Sequence, residues 1–308
     1  MRFKRLDLNL LAALDVLIRT KSVSQAADEM FLTQSAMSSA LKRLRDFFDD
    51  PLLVPVGRGM ELSPLAEQLR EPLREIIMRI EHTMTLNPHF DPATAERAFS
   101  VVMSDYVMTV LGDRLVRRVA EEAPGISLDL RPQTARPGGQ VARGEVDLVI
   151  MPDAVRTPGL ACAHLFDDHL RVIACADGPY GGRPLTLDEF CTARHVLVEP
   201  HTEQESHSTL VMRQADVSPK KAIVTYSFAS VPQLVRGTDM IALVQGGLAR
   251  IAAAQGGLTV SEPPITCPPL RETMRWRPHR SGDPGLTWLR DCVMSLARPI
   301  TGIYEINT

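Results

Sequence analysis

The sequence predicts three parts: an N-terminal all-α unit with a small β-hairpin wing, one long connecting helix, and a C-terminal α/β part. Three observations carry this. Ser22 to Phe48 contains two successive helix starts. Leu65, Leu69, Leu73, Ile76, Ile80 and Met84 recur at steps of mostly four and three. Beyond residue 94, short apolar runs alternate with helical patterns, as a parallel α/β sheet requires.

In the N-terminal unit, Leu8, Leu11, Leu14, Leu17 and Ile18 make an amphipathic first helix with Asp7 at its start. Ser22 caps a second helix, and Gln25 three residues on completes a capping box. Val23, Ala26, Ala27 and Met30 form its apolar face. Thr33 caps a third helix, Gln34 to about Phe48, with Met37, Leu41, Leu44 and Phe48 facing the core. Small Ala26 and Ala27 let the third helix cross closely over the second, which is the helix-turn-helix arrangement. Gln34, Ser35, Ser38 and Ser39 suit base edges in a major groove. Lys42, Arg43 and Arg45 suit phosphates, which set register rather than sequence. The competing reading is a helical hairpin with a solvated face.

Leu52–Val56 and Met60–Leu62 read as strands around Gly57-Arg58-Gly59, a tight hairpin presenting Arg58 to a phosphate or minor groove; an ordinary surface turn is the alternative. Ser63-Pro64 starts a helix running to about Thr85, with Pro72 expected to kink it. Its stripe of Leu65, Leu69, Leu73, Ile76 and Ile80 calls for a partner helix from a second chain, or for the chain's own core. The expected boundaries are 1–62 for the winged unit, 63–86 for the dimerisation helix and 87–94 for a Pro-containing linker.

Composition bounds the function classes. The chain has 308 residues, is 44% hydrophobic and has a formal charge of −3, enough for two or three domains and not basic as a whole. Residues 1–48 hold eight Lys or Arg against five acids, a small excess that a symmetric dimer would double. Five widely spaced Cys without a C-x-x-C fit reduced core residues in the cytoplasm. The opening reads as an amphipathic helix rather than a secretory leader, and no window suits a membrane span.

The opening M-R-F-K-R-L-D-L-N-L-L-A-A-L-D-V-L, the 22–48 stretch, the G-R-G wing and the Ser63-Pro64 helix together resemble LysR-type transcriptional regulators. The opening is most similar to the nodulation activators and the related regulators of aromatic-compound degradation. Ser35 stands where many members carry Pro. The resemblance is specific over residues 1–65 and traceable in order to the C-terminus. It implies a regulator that binds an interrupted palindrome in promoter DNA, contacts RNA polymerase, works as a homodimer or homotetramer and answers to a small effector.

In the C-terminal part, Phe99–Met103 is an expected strand, Ser104-Asp105 caps a helix to Ala123, and Ile126–Leu130 is the next strand. Gly144–Met151 reads as a helix stop followed by a strand. This G-x-x-D-L-x-I pattern resembles the family's effector domain, which has the two-lobed fold of periplasmic binding proteins. Lobe 1 is expected at 95–165 and 268–308, and lobe 2 at 166–267. Lobe 2 should hold strands at 170–174, 195–198, 223–226 and 241–244, and helices at 187–191, 208–216 and 231–236. The return to lobe 1 brings a strand at Met274-Arg275-Trp276 and a final helix near 285–296. Crossings near 165–168 and 262–269 make a two-strand hinge, with a small-molecule cleft between the lobes.

Ser104, Thr134 and Pro152 lie in loops at strand ends, and placement against the family adds His169, His201, Thr202 and Phe228. Each has a plain structural alternative as a cap, a core histidine or a packing aromatic. Histidines beside an aromatic residue suit a phenolic or carboxylated ring. No cofactor is expected. G-x-S-x-G, G-x-x-x-x-G-K-[ST] and G-x-G-x-x-G are absent from the sequence, which weighs against an enzyme. His201-T-E-Q-E-S-His207 lacks a helical i, i+4 pair for a metal, so no metal site is expected. A two-lobed solute receptor would suit the C-terminal two thirds but not the N-terminal helices.

Overall fold

The computed structural model describes residues 7–57, 59–84, 90–134, 136–200 and 205–301, with the side chains of 78, 79, 81–84, 299 and 301 left aside. The chain divides into two units, residues 1–86 and 87–308.

The first unit begins with α1 (Leu8–Thr20), whose N-cap Asp7 accepts the Leu10 N–H at 2.8 Å. Its buried face is Leu10, Ala13, Leu14, Leu17 and Ile18. Leu8, expected in that face, is 57% exposed, because the helical period centres the stripe on Leu10 and Leu14. Lys21 closes α1 at φ 50°, and α2 (Val23–Glu29) follows. The Ser22 hydroxyl accepts from the Gln25 N–H. The Ser22 N–H donates to Thr20 Oγ1, taking the place of the expected return bond from the Gln25 side chain. Phe31 turns the chain at φ 54°, and α3 (Gln34–Phe48) starts on a Thr33 cap. Met37, Leu41 and Leu44 are buried against Ala26 and Ala27.

The hairpin is β1 (Leu53–Val56) and β2 (Gly59–Leu62), antiparallel with Val56 opposite Gly59. Gly57 takes φ +59°, the left-handed turn that favours glycine. Arg58 lies outside the described residues. Ser63 caps α4 (Pro64–Met84) by accepting the Ala66 N–H, and its own hydroxyl donates to Asp50. The helix runs through Pro72 without a break. Ala66, Leu73 and Ile77 seat α4 on this unit's core beside α1, with Arg74 Nη1 on Asp15 Oδ2 at 2.9 Å.

The second unit opens with β3 (Arg97–Met103) and α5 (Asp105–Val107). A π-helical turn, Met108–Gly112, joins α5 to α6 (Asp113–Glu122) in one helical run. Next come β4 (Ile126–Pro132), α7 (Pro137–Ala142), β5 (Leu148–Pro152) and β6 (Ala161–Asp168). The chain crosses through His169 into β7 (Leu170–Cys175), α8 (Leu187–Thr192), β8 (Arg194–Val198) and α9 (His207–Gln214). Then follow β9 (Lys220–Thr225), α10 (Val231–Val235), β10 (Met240–Gln245), α11 (Gly246–Ala254) and β11 (Leu258–Ser261). Residues 262–269 carry it back to β12 (Leu270–Trp276) and α12 (Pro284–Thr301).

Two five-stranded sheets result among the described residues, in orders β4-β3-β5-β12-β6 and β11-β7-β10-β8-β9. They are mixed rather than purely parallel: β12 runs antiparallel to β5 and β6, and β7 antiparallel to β10 and β11. The returning chain therefore fills lobe 1 from the opposite direction. The first crossing falls at 168–170, slightly later than expected, because Asp168 still pairs with Leu270 in the sheet. Strands β6 and β11 and helix α11 go beyond the sequence expectation. Helix α11 opens on Gly246-Gly247, weak helix formers by propensity. At Gly247 a Cβ would lie 3.0 Å from Val110 Cγ1 and 3.2 Å from Asp168 Oδ2, so close approach selects glycine there.

Candidate DNA-facing helix and effector cleft

On α3, Gln34, Ser35, Ser38, Ser39, Lys42 and Arg43 are all exposed, while Met37, Leu41 and Leu44 are buried. One helix thus carries a polar face beside a packed one. Its N-terminal turn directs backbone N–H groups and a partial positive charge outward. Two of the hydroxyls are held locally: Ser35 Oγ lies 3.0 Å from Thr33 Oγ1, and Ser39 Oγ donates to the Ser35 carbonyl at 2.9 Å. Arg43 Nη2 lies 3.3 Å from Asp7 Oδ2, an exposed pair that a phosphate could displace.

Arg45, expected at a phosphate, is engaged within its own unit. Its Nε donates to the Pro51 carbonyl and its Nη2 to the Leu53 carbonyl, each at 2.8 Å, so the half-buried guanidinium fastens the hairpin to α3. The α4 stripe is divided. Leu73 is buried in the unit's own core and Leu69 packs against it, so these two are spent inside the chain. Ile76 is 46% exposed, and Leu65 and Ile80 are half-buried.

In the second unit a cleft of about 420 Å³ opens between the lobes. Ser104, Pro152 and Phe228 line it, as expected from sequence. Thr134 does not: it is exposed, with Oγ1 3.4 Å from Gln140 Oε1, and its neighbour Gln133 takes the lining position. His169 sits in the crossing rather than the lining, where its carbonyl accepts the Gly246 N–H at 2.8 Å. His201 and Thr202 lie outside the described residues. The lining histidine is His207, at the start of α9, whose Nε2–H donates to the Pro268 carbonyl at 3.1 Å. Burial lowers its pKa, against the opposing pull of that carbonyl and of Asp168, and so favours the neutral ring.

The lobes are joined by two carboxylates. Asp168 is fully buried and accepts from the Tyr106 hydroxyl, the Gly246 N–H at 3.1 Å and the Gly247 N–H at 3.0 Å. Asp105 Oδ2 accepts from the Ser227 hydroxyl at 2.7 Å and the Ala229 N–H at 3.1 Å. Lobe 1 side chains thereby hold the β9–α10 loop of lobe 2, and the first crossing holds the start of α11.

Sequence reasoning missed Glu272 and Gln245, both of which line the cleft. Glu272 lies on β12, opposite Pro152 and beside a bulge against β6, a feature that re-aims side chains. Burial pushes its carboxyl up to about 8, helped by the charge of Asp168 and offset by Arg275. The available signal was a glutamate inside L-R-E-T-M-R-W, a strand buried on both faces apart from Arg271. Arg136 and Arg156, both exposed residues, belong to the lining as well. Most of the remaining wall is apolar, including Met151, Val155, Leu160 and Leu270. Such a site is built to hold and orient a small molecule. Among the described residues no group of three His, Cys, Asp or Glu is placed to hold a metal ion, and no helix is long and apolar enough to cross a membrane. The described part of the His201–His207 stretch is engaged elsewhere, with Glu205 paired to Arg213 and His207 to Pro268.

Residues 8–67 match the model of the bacterial regulatory helix-turn-helix protein, lysR family, and residues 92–298 match the LysR substrate binding domain. Nodulation protein D 2 of Bradyrhizobium diazoefficiens is 38% identical over 313 aligned residues, covering all of this chain and 93% of its own. Nodulation protein D 1 of Mesorhizobium japonicum is 33% identical over 98% of this chain and 96% of its own. A probable transcriptional regulator of Pseudomonas aeruginosa superposes with a TM-score of 0.63 at 26% identity, over 96% of this chain and 98% of its own. Full-length LysG of Corynebacterium glutamicum, solved with bound effector Arg, gives 0.66 at 15% identity over 96% and 99%, a likeness of fold alone. An exposed polar helix face and a two-lobed cleft, with both family models matched in order and relatives aligned over more than nine tenths of their length, place this chain in the LysR family of DNA-binding transcriptional regulators answering to a small-molecule effector.

Proposed function

We propose that a homodimer of this chain binds an interrupted palindrome in promoter DNA in the cytoplasm, and that an aromatic or phenolic effector in the cleft changes how the paired heads bend the DNA and meet RNA polymerase. The observation carrying the effector class is the cleft itself: about 420 Å³, walled by Met151, Val155, Leu160, Phe228 and Leu270, with a few polar groups set among them. A ring fills such a wall, and the polar groups orient its substituents. Exposed Ile76, with Leu65 and Ile80 beside it in the stripe, supports a second copy meeting α4, and pairing of dimers through the α/β units would give a tetramer. Gln34 and Ser38 would read base edges, while Lys42, Arg43 and the wing's Arg58 meet phosphates.

The effector must favour one arrangement of the lobes over the other, or it regulates nothing. The likeness to nodulation proteins D extends along the whole chain, so promoters of nodulation genes are the first DNA to try. The test is a footprint on such promoters with and without a panel of phenols and aromatic acids, paired with calorimetry. Protection of a palindrome that changes in length or bend with one of these ligands is the expected result. Binding of sugars or amino acids alone would remove the aromatic reading, and a footprint unchanged by saturating ligand would remove the coupling.

A further inference from the structure

We infer that Gln245 and Glu272 form the recognition end of the cleft, where they take the hydroxyl of a neutral ring-sized ligand as a hydrogen-bond donor. This rests on the effector-cleft reading above. Gln245 ends the central strand of lobe 2, and Glu272 sits in the sheet of lobe 1 just past the second crossing. They are 3% and 2% exposed. Gln245 Oε1 and Glu272 Oε2 are sealed from solvent without a hydrogen-bond partner, yet both residues line the cleft. Buried polar atoms are nearly always paired, and an unpaired one weakens the fold.

Asp168 shows what a structural carboxylate does here. It lies between the same lobes, equally buried, and three donors satisfy it. Glu272 and Gln245 are left with unfilled acceptor capacity in the wall of the cleft. A water molecule alone would leave most of about 420 Å³ unfilled.

The chemistry selects the donor. A ligand carboxylate brought to this end meets the Gln245 carbonyl oxygen and the negative charge of Asp168, which already acts on Glu272, and is repelled. An ammonium group must enter a cleft whose lining includes Arg136 and Arg156 and then sit near Arg275, whose charge already acts on Glu272. A hydroxyl donates its hydrogen bond without bringing a charge into the apolar wall. A protonated Glu272 can also return its own proton to the ligand oxygen as a second hydrogen bond. Because the two acceptors belong to different lobes, a ligand engaging both biases the lobe arrangement, which is what regulation requires.

The experiment is calorimetric titration of the full-length protein with 2-naphthol, 2-methoxynaphthalene, 2-naphthoate and 2-(aminomethyl)naphthalene. We expect 2-naphthol to bind at least about tenfold more tightly than the other three. Glu272→Leu and Gln245→Leu should each remove that preference and leave 2-methoxynaphthalene affinity unchanged, while Glu272→Gln, which keeps a donor and an acceptor, retains it. Without ligand, Glu272→Leu should raise the melting temperature, since an unpaired buried group is removed. A fall in melting temperature assigns Glu272 a structural role and overturns the inference. Equal affinity for the hydroxyl and methoxy probes, or tightest binding of the cation or carboxylate, overturns it while sparing the cleft reading. Absence of binding by all four probes counts against both.

Discussion

The exposed face of α3 and the cleft of the second unit both present polar groups, and they are built in opposite ways. The face of α3 takes Gln34 to Arg43 from one continuous segment, and its polar side chains stand in solvent. The cleft takes Ser104, Gln245 and Glu272 from three separate segments, Ser104 lying more than a hundred residues before the other two, and Gln245 and Glu272 are buried. A surface site of the first kind stores little folding energy, so its residues can change function without changing stability. A buried site of the second kind ties function and stability together, because each polar group removed from water must find a partner. The comparison predicts that substitutions separate into two classes.

The largest effect should come from Asp168→Ala. It removes the acceptor that the Tyr106 hydroxyl and the Gly247 N–H share where the lobes meet, and leaves the Gly246 N–H to the His169 carbonyl alone. We expect a loss of roughly 3 kcal/mol or more in the second unit, read as an earlier urea transition, because breaking a buried charged network is strongly destabilising. A change under about 1 kcal/mol would mean the lobes are not joined there. Leu73→Ala in α4 should cost the first unit about 2–5 kcal/mol through the cavity it leaves. Ile76→Ala, three residues on and exposed, should barely move the melt and should weaken self-association in sedimentation instead. That pair decides which part of the α4 stripe serves the fold and which serves a second copy.

The base-reading face should show the reverse pattern. Gln34→Ala should leave the thermal melt within about 0.5 kcal/mol and reduce discrimination at one base pair by roughly 1–3 kcal/mol in competition gel shifts. Lys42→Ala should weaken binding to every sequence and shorten the salt dependence by about one charge. Arg45→Ala crosses the two classes. Loss of its bonds to the Pro51 and Leu53 carbonyls should cost about 1–2 kcal/mol of stability and release the hairpin, so binding falls together with the melt. If Arg45→Ala behaves as Lys42→Ala does, Arg45 is a phosphate ligand after all.

The same contrast explains what could be read from the chain before its structure. Helices α1 to α4 were legible because their signals are local: the Asp7, Ser22, Thr33 and Ser63 caps, and apolar residues at helical spacing. The bonds of Arg45 to the hairpin were not legible because its partners are backbone carbonyls six and eight residues away, which carry no side-chain signature. In the α/β unit the apolar strands announced themselves, but strand direction did not. The antiparallel entry of β12 follows from where the chain returns, not from its composition. Ser104, Pro152 and Phe228 were found because they stand at strand ends, where α/β clefts form. Glu272 escaped because its neighbours Asp168 and Pro152 are over a hundred residues away, and only their approach makes the glutamate unusual.

The sharpest test of the buried class is a pH dependence. Glu272 has its carboxyl raised from an ordinary 4.5 to about 8 in the folded chain, first by burial and then by Asp168. Between those two values the folded state holds a proton that the unfolded state has lost, so stability falls as pH rises through the window, by up to about 1.4 kcal/mol per pH unit. His195 and His207 act in the opposite sense. Burial lowers both, so the unfolded chain takes up their protons first and stability falls as pH drops below the ordinary histidine value of 6.5. The wild-type slope alone therefore mixes opposing contributions, and the difference between wild type and Glu272→Gln isolates the glutamate. Thermal melts at pH 6 and pH 8 should show the wild type losing more stability than the variant on going up in pH. Equal losses would place the Glu272 carboxyl in contact with water and return it to the exposed class that α3 represents.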